Sequence, residues 1–205
     1  MYQPPNAIRM HVALADIEPE IWRRLVVPVD WRLDRLHLVL QAAFSWTNGH
    51  LHEFRIGGLR YGDLNLLDDG FGGPRVFDYT EISLRDFVGK DSSFIYVYDF
   101  GDNWQHLIRI EEWLTLETEP RHAICLEGAR ARPPEDVGGP WAYDDFLEII
   151  TDPEHDDHRS TLRWAGGHFD PEWFDLDLIN KDLRNTFRAN ARRRLHQPKP
   201  KSKWS

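Results

Sequence analysis

Phe94-Ile95-Tyr96-Val97-Tyr98-Asp99-Phe100-Gly101-Asp102-Asn103-Trp104-Gln105-His106 is the stretch on which the reading of the fold turns. Phe94, Tyr96, Tyr98 and Phe100 alternate with Ile95, Val97 and Asp99, the period of a β-strand carrying bulky side chains on both faces. Gly101-Asp102 fits a two-residue hairpin loop, after which Asn103 to Ile108 resumes the strand pattern. A loop of two or four residues sets Asp99 opposite Trp104 and Val97 opposite His106, so that Asp99 and His106 lie diagonally on one face. A loop of three residues sets His106 opposite Tyr98 instead.

Working outward, Ile8–Leu14 and Ile21–Val27 read as two more strands, the second closed by Pro28. Trp31 to Trp46 predicts a helix. Leu33, Leu36, His37, Leu40 and Phe44 form one stripe at helical spacing, and Asn48-Gly49 offers a left-handed stop. His50 to Gly57 returns to period two, with His50, His52, Phe54 and Ile56 on one face. A short strand at Leu59–Tyr61 and a Gly- and Asp-rich excursion follow. Next comes a short helix over Leu84–Val88, with Ser83 as its N-cap. Beyond the hairpin, Arg121–Leu126 is a strand candidate and residues 128–140 an irregular loop. Helices are expected over 140–150 and 156–164, the latter ending at Gly166-Gly167. Asp170-Pro171 reads as a helix start, and a last helix as Asp177–Arg193. Strands, helix, strands and a helical C-terminal third predict an α+β fold: one compact domain over residues 1–188, mainly antiparallel, with one N-terminal helix packed on the sheet.

The 205 residues are 41% hydrophobic and 13% aromatic with nine tryptophans, a composition that folds. Cys125, the single cysteine, excludes an internal disulfide and fits a reducing compartment. No stretch approaches a membrane span and the N-terminus lacks an apolar signal core, so a soluble cytoplasmic protein is expected. The formal charge of −9 is unevenly spread. Eight Lys or Arg and no acid lie beyond residue 182, leaving 17 basic residues against 34 acids, or −17, for residues 1–182. Such a body repels nucleic acid, so contact with it would rest on the basic, disordered tail expected over 189–205.

Several residues could carry chemistry. Asp99 among aromatics is a candidate ligand or base, Asp102 a turn former, and His106 a ligand or a bonded core residue. His50-x-His52 puts two imidazoles on one strand face, about 7 Å apart. With Asp99 and His106 they make a candidate divalent-metal set. Glu135-Asp136 follows two prolines as a rigidly presented acidic pair. Trp46, Tyr98, Asp99, Asp102, Trp104, His106, Glu135 and Asp136 are therefore the candidate binding residues. No phosphate-binding loop, dinucleotide fingerprint, nucleophile elbow or zinc-finger pair occurs, which counts against nucleotide-dependent and serine-hydrolase chemistry.

Together the motifs resemble the plasmid pRiA4b ORF-3-like family, also described as TnpR-like passenger proteins of an insertion element. The matching segments are Ile21-Trp22-Arg23-Arg24, Leu36-His37, residues 41–46, His50-Leu51-His52-Glu53-Phe54, residues 96–106, Cys125-Leu126-Glu127-Gly128, residues 133–139, Trp164 to Pro171, and Asn180. The resemblance implies a compact α+β domain without an established activity. Val137 departs from the family pattern, in which many relatives carry a cysteine, so a thiolate pair with Cys125 is not expected here. The recombinase-like name finds no nucleophilic serine among arginines to support it. The expectation is a non-enzymatic binding or adaptor domain for a protein or peptide, associated with plasmids or mobile elements and needing no cofactor. The alternative is a divalent-metal-dependent hydrolase or nuclease-like enzyme centred on the hairpin.

Overall fold

The computed structural model describes residues 3–67, 75–87, 93–188 and 197. Its strands are β1 (Ala7–Leu14), β2 (Trp22–Pro28), β3 (His52–Ile56), β4 (Leu59–Gly62), β5 (Val76–Asp78), β6 (Ser93–Tyr98), β7 (Trp104–Leu114) and β8 (Ile124–Ala129). They form one sheet in the order β5-β4-β3-β6-β7-β1-β2-β8, antiparallel except for the β4–β5 pair. The helices are α1 (Leu33–Phe44), α2 (Leu64–Leu67), α3 (Gly139–Thr151), α4 (His158–Trp164) and α5 (Leu176–Arg184). The α+β reading with a mainly antiparallel sheet and a helical last third is thus observed.

Helix α1 lies over the middle of the sheet. His37 stacks on His52 of β3 at 3.5 Å and is tilted against Tyr96 of β6, while Phe44 meets His106 of β7 edge-on at 4.9 Å. Because α5 packs on α1 from outside, the expected stripe is buried and so are Val39, Gln41, Ala42 and Ala43. Removing that much apolar surface from water is the main favourable term of the fold. The opposite face of the sheet is polar around β1, β2 and β7. Arg24 chelates Glu111 at 2.8 and 2.9 Å, Arg9 reaches the same carboxylate, and Trp22 is in contact with both the His11 ring and the Arg24 guanidinium.

Three expectations about element ends are corrected. Helix α1 stops at Ser45, which takes the left-handed conformation (φ 59°), before the expected Asn48-Gly49. Strand β8 starts at Ile124, three residues later than expected. Asp170-Pro171 begins a turn and no helix. The N-cap of α5 is Asp175, whose carboxylate accepts the Leu178 N–H at 2.9 Å. The short helix expected at Leu84–Val88 is a 3₁₀ turn over Leu84–Phe87, with Val88 outside the described residues. The basic tail, Gln197 apart, also lies outside them.

Candidate functional site

The β6–β7 connection is longer than the sequence implied. Tyr98 pairs with Trp104 and Tyr96 with His106, so five residues, Asp99 to Asn103, make the loop. Bulky flanking aromatics do not specify a turn length, whereas Asp and Asn tolerate the left-handed conformation that a wider turn needs. Asp99 and Asn103 both adopt it, at φ 58° and 55°. This register moves His106 off the face of Asp99 and into the core.

His106 is fully buried. Its Nε2 accepts the Trp46 Nε1–H at 3.0 Å, and Nδ1 lies 3.2 Å from the Trp104 carbonyl. That pattern requires the neutral ring protonated at Nδ1. Burial pushes its pKa down to about 3. His52 is likewise buried and pushed down by burial to about 4, with no side-chain partner for either ring nitrogen. Trp46 and Trp104 are core residues 5.8 Å apart. All four are buried.

Asp99 meets His50 instead. Its Oδ1 accepts the N–H groups of Gly101 (2.9 Å) and Asp102 (3.3 Å), which leaves Oδ2 facing His50 Nδ1 at 3.4 Å. On the other side of the same ring, Nε2 lies 3.3 Å from Asp136 and 3.7 Å from Glu135. Glu135 is anchored by the Thr47 N–H at 2.7 Å and lies 3.4 Å from the Tyr98 hydroxyl, which also accepts the Gly49 N–H. Burial and then the Glu135 charge push the Tyr98 phenol up to about 12, so it stays neutral. Asp102 accepts the Gly138 N–H at 3.0 Å, and a Cβ on Gly139 (φ 83°) would sit 2.6 Å from the Asp102 carbonyl. The hairpin loop is therefore tied to the start of α3 at a distance only glycine allows.

Three loops converge here: 45–51 after α1, 99–103 within the hairpin, and 130–138 before α3. Among the described residues, six of the seven non-glycine residues with positive φ lie in them: Ser45, Asn48, Asp99, Asn103, Arg130 and Asp136. Each such residue costs energy that the surroundings must offset, and such strain gathers at functional sites. Two buried arginines supply part of the compensation. Arg23 donates to the carbonyls of Ala43, Trp22, Ala129 and Arg130 between the rings of Phe44 and Phe174. Arg132 donates to the carbonyls of Ser45 and Pro133 and lies over Trp46. Burial lowers both guanidinium pKa values to about 10, still charged at neutral pH. Sequence reasoning missed both, because an arginine in a strand or loop looks solvated until its chain neighbours from residues 43–46 and 129–133 are folded around it.

Beside the cluster are two adjoining hollows that share Asp136 and Trp164. One, about 310 Å³, is lined by Thr47, Arg132, Glu135 and Phe169. The other, about 430 Å³, lies between α3 and α4 over Val137, Phe146 and Ile149, with Asp145 and Asp157 at its rim. Trp164 is 52% exposed and Trp141 86% exposed. The tryptophan surplus is thus divided: Trp31, Trp46 and Trp104 are in the core, while Trp141 and Trp164 are exposed on the helical third.

A family model described as "Plasmid pRiA4b ORF-3-like protein" matches residues 6–178. The chain is 42% identical over 197 residues to the uncharacterized protein y4hQ of Sinorhizobium fredii (strain NBRC 101917 / NGR234), spanning 92% of this chain and 98% of that one. A crystal structure of the protein of unknown function MM3350 from Methanosarcina mazei Go1 superposes with a TM-score of 0.75 at 34% identity, over 85% of this chain and 98% of that one. With the family model covering nearly the whole described domain, the chain belongs to the plasmid pRiA4b ORF-3-like family.

Proposed function

We propose that the protein is a non-enzymatic binding domain that takes a cationic, partly apolar peptide segment of a partner protein in the hollows beside Trp164. The observation that carries this reading is the sharing of Asp136 and Trp164 by an acidic hollow and an apolar one. Four acids, Glu135, Asp136, Asp145 and Asp157, line the two hollows against one buried arginine, Arg132, so the surface is complementary to Lys or Arg flanking a bulky apolar residue. Trp164 supplies the kind of half-exposed aromatic anchor on which binding energy concentrates. The plasmid in the family's description supports a partner encoded on a mobile element. Titration of the Trp fluorescence with peptides pairing Leu or Phe with Lys or Arg should give micromolar affinity, about −8 kcal/mol. Trp164→Ala should weaken it at least tenfold, and added salt should weaken it further. Equal binding by Trp164→Ala would sink the reading. A second reading, a divalent-metal-dependent hydrolase, is favoured by the convergence of His50, Asp99 and Asp136, since three protein ligands would leave a position open for water.

A further inference from the structure

A neutral His50 ring cannot satisfy its surroundings by itself. A carboxylate oxygen stands at each of its ring nitrogens, Asp99 at Nδ1 and Asp136 and Glu135 at Nε2. A neutral imidazole has one N–H, so one nitrogen must present a lone pair to a carboxylate that has only lone pairs to offer. A doubly protonated ring could satisfy both sides with short bonds, typically 2.7–2.9 Å for charged partners. The observed separations are 3.3 to 3.7 Å. An ion bonds only one of the two nitrogens, and at Nδ1 the 3.4 Å to Asp99 matches the spacing of two ligands on one ion, about 3.4 Å when each bond is about 2.1 Å long.

We infer that His50, Asp99 and Asp136 form a divalent transition-metal site, with Glu135 at its edge. One ligand atom from each of the three lies within 4.8 Å of the others. The ion takes the lone-pair nitrogen of His50, and the hydrogen bonds from Gly101 and Asp102 already fix Asp99 with Oδ2 directed at the ring. Asp136 has a largely exposed side chain and can swing toward the ion, while Glu135 is held to the Thr47 N–H. One imidazole nitrogen with two carboxylate oxygens suits Zn²⁺ or Mn²⁺. Ca²⁺ and Mg²⁺ prefer all-oxygen shells. The inference goes beyond the peptide-binding reading: the ion ties together the loops after α1, within the hairpin and before α3, and so fixes the wall on which Val137 lines the groove.

The test uses the full chain, stripped with EDTA and titrated with ZnCl₂ and MnCl₂ by calorimetry, with thermal unfolding in parallel. One ion per chain should bind at micromolar or tighter Kd, and the unfolding midpoint should rise by several degrees. His50→Ala and Asp99→Asn should each weaken binding at least tenfold and abolish the midpoint rise, and Asp136→Asn should weaken it by about tenfold. Should Asp99→Asn fail to fold, His50→Gln, at a half-exposed position, keeps the test open. Co²⁺ loaded in place of Zn²⁺ should show weak visible bands without thiolate-to-metal charge transfer, which excludes Cys125 as the ligand. No saturable binding of Zn²⁺, Mn²⁺ or Co²⁺, or binding undiminished in His50→Ala, would overturn the site. Because Trp164→Ala lies outside the ligand set, failure of peptide binding and failure of metal binding are separately visible.

Discussion

His106 and His50 lie on either side of the Trp46–Tyr98 ring pair, and their surroundings assign them opposite tasks. His106 serves as a buried acceptor. With a folded pKa of about 3 against about 6.5 unfolded, the unfolded chain binds a proton between these values and the folded chain does not. Its contribution to stability is therefore intact above about pH 6.5 and declines as pH falls toward 3, by up to about 1.4 kcal/mol per pH unit. At pH 7.5, His106→Leu leaves the Trp46 N–H without its acceptor and should cost about 1–3 kcal/mol. Urea midpoints of the two proteins should converge as pH is lowered to 5, since only the native residue must resist protonation. A gap independent of pH would show that His106 does not remain neutral.

Among the elements, β8 carries the greatest exposure risk, because it ends the sheet and bears the exposed Ile124 and Leu126. Unpaired edge backbone invites association with another chain. Asn180 of α5 prevents this at Cys125, whose N–H and carbonyl it clasps at 2.9 Å each. The opposite edge is protected by brevity, since β5 has three residues. Asn180→Leu keeps the volume and loses both bonds. It should lower stability by about 1–3 kcal/mol and raise concentration-dependent light scattering. Unchanged scattering with lowered stability would assign Asn180 to packing alone.

For the whole molecule, charge decides which partners can approach. Residues 1–182 carry −17, and the acidic run continues from the loop before α3 through α3 to Asp157, just ahead of α4. A chain ending at Arg188 should therefore give no shift of duplex DNA in a gel even at low salt, where attraction would be strongest. A shift would mean that a local basic surface overrides the net field. The full chain adds six Lys or Arg beyond Arg188, so comparing the two isolates the tail. No helix among the described residues is long and apolar enough to cross a membrane.

Hydrophobic period alone determined most of the architecture. The stripe of α1, the alternation in β1, β2, β6 and β7, and the Gly166-Gly167 stop of α4 are local signals whose spacing survives folding. The sequence also marked Asp99, Glu135, Asp136 and the His50-x-His52 pair as residues with chemistry to offer. It could not say which of them meet. His50 and His52 share a strand face only if the strand begins at His50, and it begins at His52. His50 is thereby free to turn toward Asp99 and Asp136, while His52 goes under α1. Hairpin loop length, which the turn-forming residues between Asp99 and Asn103 leave open, was likewise decided by packing. Tyr96 and His106 pair beneath Phe44 because that register fills the space under α1. Sequence determined the inventory of elements and ligands. The tertiary structure decided the site, because three loops distant in the chain are brought together there by Arg23, Arg132 and the contact of Gly139 with Asp102.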